Sequence, residues 1–76
     1  MRRRVAALEM THVNALGRRC PLPIIMIAKA VSSCPSGEVL TLSSDDPATW
    51  PDLQAWGRLT GKVVKQLEAT RFEITA

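Results

Sequence analysis

The chain has 76 residues, of which 46% are apolar and 22% charged, and a formal net charge of +3. A chain this short forms one domain and buries only ~60% of its unfolded surface, so its margin of stability is thin. The ~20 consecutive apolar residues that span a bilayer are missing, because Leu22 to Val31 is cut by Lys29 and followed by Ser32 and Ser33.

Residues 1–10 read as a basic arm or as a backward extension of the first strand to Val5, leaving 11–76 as a single domain. Arg2, Arg3 and Arg4 look like the start of a signal peptide, yet Val5 to Leu8 is too short for an apolar signal region before Glu9. The expected compartment is therefore the cytoplasm, with no membrane partner. Met1 and Met10 are both candidate starts. Residues 1–20 hold five Arg against Glu9 alone, whereas the remainder is nearly balanced. Such an arm is a solvated terminus or a contact for RNA or an acidic protein. RNA contact is unsupported, since no aromatics interleave with the basic residues.

Residues 11–16 read as the first strand, ending at Gly17. Pro21 to Ser33 reads as a helix, with Ile24, Ile27, Ala28 and Val31 at the spacing of a buried stripe. The Pro35-Ser36-Gly37 turn stops it. Glu38 to Ser43 then alternates Val39, Thr41 and Ser43 with Leu40 and Leu42, the period of a strand. A turn at Asp46 to Ala48 leads to a second helix capped by Thr49, with Thr49 and Asp52 at capping-box spacing. Pro51 falls in its first turn, where a missing N–H costs nothing. Leu53, Trp56, Gly57 and Thr60 share a face, Trp56 serving the core, and Gly61 suits the stop. Lys62 to Glu68 and Arg71 to Thr75 finish as a hairpin around Ala69-Thr70. The expected fold is α/β of the α+β kind. It is a two-layer β-α-β-α-β-β sandwich whose mixed four-stranded sheet carries both helices on one face.

The chemistry concentrates in Arg18-Arg19-Cys20-Pro21-Leu22-Pro23. Proline favours the first helical position, which would put Pro21 at N1, Cys20 at the N-cap and Pro23 still in the first turn. Unpaired N–H groups and the helix dipole favour negative charge there. With Arg18 and Arg19 adjacent, the thiolate of Cys20 is expected to be stabilised. Cysteine is a poor cap compared with Ser, Thr, Asp or Asn, so a capping role does not account for it. Cys34 stands at the opposite, negative end of the helix and reads as inert. The two do not suit a disulfide: a helix between them separates them by about 20 Å, against the ~7 Å limit between Cα atoms. Metal-ligand spacing is absent, with only His12 to join the cysteines, and no metal or cofactor is expected.

A hydrolase built on Cys20 would need an oriented base. His12 lies in the first strand on no motif, and Asp45, Asp46 and Asp52 read as turn and capping groups. A reactive thiol without a base suits a relay, which receives a group and passes it on, rather than a self-contained catalyst. Leu22, Ile25 and Met26 lie off the buried stripe and beside Cys20, forming a candidate docking patch for a protein partner.

Ala15-Leu16-Gly17-Arg18-Arg19-Cys20-Pro21-Leu22-Pro23, Pro35-Ser36-Gly37-Glu38, Asp45-Asp46-Pro47-Ala48 and Asp52-Leu53 closely resemble the TusA/SirA sulfur-carrier family over residues 12–75. The family's sandwich has the element order read above. The resemblance implies that Cys20 accepts sulfane sulfur as a persulfide and hands it to an acceptor protein. It implies a cysteine desulfurase or a rhodanese-like protein as donor, and tRNA thiolation, molybdenum cofactor assembly or sulfur oxidation as destination. Some positions depart from better-known members. Gly57 stands where some carry a second cysteine, Lys62 where His is common, and no basic tail follows Thr75. Two other readings use the same residues: a regulatory or RNA-associated small α/β module, from the arginine arm, and a redox protein pairing Cys20 with Cys34.

Overall fold

A computed structural model describes residues 11–76. The strand extension toward Val5, the arm of Arg2, Arg3 and Arg4, and the choice between Met1 and Met10 lie outside the described residues.

The elements run β1 (Thr11–Asn14), α1 (Leu22–Ser32), β2 (Val39–Ser43), α2 (Thr49–Thr60), β3 (Val63–Glu68) and β4 (Arg71–Thr75). They form one mixed four-stranded sheet in the order β1-β2-β4-β3. β1 runs parallel to β2, with Val13 opposite Leu42, and the other pairings are antiparallel. This is the expected α+β sandwich. Because side chains alternate along a strand, Leu40 and Leu42 of β2 and their partners Ile74 and Phe72 of β4 point to the helical side. Their neighbours Thr41 and Glu73 point to the open face.

The core is built from those four residues with Ile27 and Val31 of α1, Leu53 of α2 and Ala15 from the loop after β1. Each of the seven large side chains buried there, Ala15 being the small one, contributes about 1.5–3 kcal/mol. Trp50 stacks on Phe72 with ring centroids 5.8 Å apart and planes 19° off parallel, covering the end of the core nearest the start of α2. Trp56 is half-buried against the same cluster, as expected of it.

Local details depart from expectation in ways that matter for the site. β1 stops at Asn14, so Ala15 and Leu16 belong to the loop. The regular turns of α1 begin at Leu22 with Pro21 at the N-cap, one residue later than expected, which leaves Cys20 in a turn before the helix. Pro23, Ile27 and Val31 form its buried ridge, with Ile24 and Ala28 half-buried beside it.

In α2, Pro51 does lie in the first turn and Gly61 ends the helix in the left-handed region, at φ 76°. Thr49, however, is the first helical residue and not the cap. Ala48 is the cap, without a side-chain cap bond, and Asp46 closes the turn before the helix, its Oδ1 accepting the Ala48 N–H at 2.8 Å. Thr60 is exposed and not on the inner face, its hydroxyl donating back to the Trp56 carbonyl at 2.8 Å. Among the described residues, no helix is long and apolar enough to cross a membrane.

Candidate functional site

Parallel pairing of β1 with β2 brings the loops that leave them to the same edge of the sheet. The Ala15 N–H continues the ladder to the Ser43 carbonyl at 2.8 Å, and the two chains then separate as the 15–21 and 44–48 loops. In the first loop Gly17 adopts φ 78°, a conformation that costs glycine nothing and other residues about 1 kcal/mol or more. Its N–H, turned toward the second loop, donates to Asp45 Oδ1 at 3.1 Å. Three residues on, the Cys20 N–H donates to Asp46 Oδ2 at 3.1 Å. Two successive carboxylates of one loop therefore hold two amides of the other.

Asp46 is the hinge of this arrangement. One carboxylate oxygen organises the start of α2 and the other fixes the backbone of Cys20. The bond from Ala48, then the bond from Cys20, and then the charge of Arg19 hold its carboxyl below the ordinary value. The Cys20–Pro21 peptide bond is cis, and Pro21 passes the chain into α1.

Cys20 is half-buried, and its Sγ lies 3.5 Å from Thr49 Oγ1. Thr49 is fully buried and its hydroxyl meets Ser44 Oγ at 2.6 Å, Ser44 being buried as well. The thiol is raised above its ordinary value, first by burial. The Thr49 hydrogen bond opposes this, while Asp52, by hydrogen bond and charge, and Asp46, by charge, push the same way as burial. The shift of the Cys20 thiol thus runs opposite to the direction expected from Arg18 and Arg19 alone, with burial as its largest cause. Both arginines are exposed, where solvent weakens their field, and the charges that bear on the sulfur are those of Asp52 and Asp46.

The other sequence candidates separate clearly. Leu22 and Ile25 are exposed at 41% and 49%, joined by Leu16 at 51%, whereas Met26 packs half-buried against the core. Two of the three expected docking residues therefore present apolar surface close to Cys20 in the chain, as does Leu16. Pro21 is exposed and Pro23 buried beneath the first turn of α1.

His12 lies on the open face of the sheet, its Nδ1 at 2.7 Å from Thr41 Oγ1 and its Nε2 at 3.2 Å from Ser43 Oγ. Both ring nitrogens are engaged on the side away from the helices. Cys34 is a free half-buried thiol at the far end of α1, raised by burial and by Glu38. It lines an open groove of about 430 Å3 with Trp56 and Lys62. Among the described residues, no group of three or more His, Cys, Asp or Glu side chains is placed to hold a metal.

Sequence reasoning missed Asp46, Thr49, Asp52 and Ser44 as neighbours of the sulfur. The Asp45-Asp46 pair was visible only as turn chemistry, since nothing local says that its free oxygens face Gly17 and Cys20.

Compared with known proteins, the sequence matches the family described as Sulfurtransferase TusA over residues 11–75. Among solved structures, it is similar to a SirA-like protein from Desulfitobacterium hafniense. The two are 29% identical with a TM-score of 0.70, over 87% of this chain and 93% of that one.

Proposed function

Since the chain belongs to the TusA sulfurtransferase family, whose members act as sulfur carriers, we propose that Cys20 carries sulfane sulfur as a persulfide and relays it between proteins. The observation that carries this reading is the setting of Cys20. Its backbone is fixed by Asp46 and its sulfur is contacted by a buried hydroxyl, while the histidine is committed to the opposite face of the sheet. A nucleophile of a hydrolase needs a base that can take its proton and return it to a leaving group. A relay thiol needs only to be reachable, held in place, and able to leave again.

The transfer balances without a further reagent. A thiolate of the acceptor attacks the outer sulfur of the Cys20 persulfide, forming a new S–S bond. The bond from that outer sulfur to Cys20 Sγ breaks, and its electron pair stays on Cys20 as thiolate. The loading step is the same exchange in reverse, with a persulfide on a cysteine desulfurase or rhodanese-like donor. Leu16, Leu22 and Ile25 supply apolar surface beside the sulfur for such proteins to rest on. Arg18 and Arg19 add exposed positive charge at its rim, suited to steering an acidic partner.

The test is loading of the full chain from inorganic polysulfide, followed by intact mass. Wild type and Cys34→Ser should gain one sulfur atom, and Cys20→Ser should gain none. Undiminished loading of Cys20→Ser overturns the reading, as would loss of two hydrogens in wild type, the mark of a disulfide.

A further inference from the structure

We propose that the Thr49 hydroxyl is a catalytic hydrogen-bond donor to Cys20 Sγ, and that Ser44 is the positioning residue that aims it. The proposal rests on the persulfide reading of Cys20 and adds to it the group that receives charge-stabilising work when sulfur departs.

The direction of the bonds follows from counting buried protons. Ser44 and Thr49 are 1% and 0% exposed, and their oxygens are 2.6 Å apart. Among the described residues, the one hydrogen-bond partner of the Ser44 hydroxyl is Thr49, and the Thr49 hydroxyl has Ser44 and Cys20 Sγ. Were Thr49 to donate to Ser44, the Ser44 proton would be left in the interior without an acceptor, which costs about 1–3 kcal/mol. With Ser44 donating to Thr49 and Thr49 donating to Sγ, both protons are satisfied. The pair is therefore fixed as a chain that ends on the sulfur.

A donor in that position favours the sulfur when it is an acceptor. That is the Cys20 thiolate, the state in which the electron pair of the broken S–S bond comes to rest. Asp52 and Asp46 bear on the same sulfur with negative charge. Without the hydroxyl the departing thiolate would meet those negative charges with only solvent to offset them. A thiol of lower pKa leaves faster in sulfur exchange, so the hydroxyl acts on the discharge step.

The experiment uses the full chain in a Cys34→Ser background, so that Cys20 alone reports. Iodoacetamide alkylation is followed against pH by intact mass, as is discharge of polysulfide-loaded protein to glutathione. Thr49→Val keeps the branched shape without the hydroxyl. It should raise the alkylation midpoint by about one pH unit and slow discharge by roughly threefold or more. Thr49→Ser should restore both, which a purely structural role would not predict. Ser44→Ala should raise the midpoint by less, in the same direction, and it decides the matter if Thr49→Val does not fold. An unchanged midpoint in the deciding variant, or no rescue by Thr49→Ser, overturns the donor. A raised midpoint with unchanged discharge overturns its part in transfer. Failure of the parent protein to load would instead sink the carrier reading, while the alkylation profiles would still decide whether Thr49 donates.

Discussion

The amide of Cys20 is held at 3.1 Å by the carboxylate of Asp46, a residue 26 positions away that also organises the start of α2. One side chain thus ties the geometry of the sulfur to the folding of the second helix. Its replacement affects both.

Asp46→Ala should lower the thermal unfolding midpoint at neutral pH, because the Ala48 and Cys20 amides both lose their acceptor. The effect has a defined pH window. The folded-state carboxyl lies below its ordinary value of 3.8, so its contribution is fully present above that value and is lost as pH falls through the lower, folded value. Melting curves of wild type and Asp46→Ala should therefore diverge at pH 6 and approach each other as pH falls below 3.8. A constant difference across that range would refute the assignment.

The carboxylates also set the reactivity of the thiol. Asp52→Asn should move the alkylation midpoint of Cys20 downward, since a negative charge bearing on the sulfur is removed. Added salt should lower the wild-type midpoint too, by screening Asp52 and Asp46 over a Debye length of about 10 Å at 0.1 M. His12→Ala should leave the profile unchanged, because both ring nitrogens are bonded on the open face. An upward shift with salt, which would mean that Arg18 and Arg19 dominate, is the contrary result.

Leu22→Ser combined with Ile25→Ser should leave loading from inorganic polysulfide intact and slow loading from a persulfidated protein donor. Both side chains are substantially exposed, so folding is little affected, while a partner would lose apolar contact beside the sulfur. Equal slowing with both donors would point to damage at Cys20 and away from docking.

Leu53→Ala should destabilise by about 2–5 kcal/mol, a large part of the 5–15 kcal/mol that a domain of this kind has in total. Leu53 is fully buried where α2 packs over the sheet, and chemical denaturation measures the loss directly. A change below ~1 kcal/mol would show that α2 is not packed as described.

The sequence by itself determined the elements whose causes are local. Pro21 and Pro23 mark the start of α1 because a proline ring fits a first turn and breaks a later one. The alternation from Val39 to Ser43 and the left-handed stop at Gly61 likewise depend on residues within a turn or two. Cys20 stood out for the same reason, since its neighbours in the chain are part of its setting.

Only the tertiary structure decided what the sulfur touches. Thr49 looked like a helix cap and is a buried hydroxyl against Cys20, 29 positions away, because the parallel register of β1 and β2 lays one loop over the other. That register also sets the charges of Asp46 and Asp52 to bear on the sulfur. The thiol therefore shifts upward where the local motif alone predicts the reverse. A pKa responds to burial and to every charge in space around it, and neither quantity is a property of neighbours along the chain.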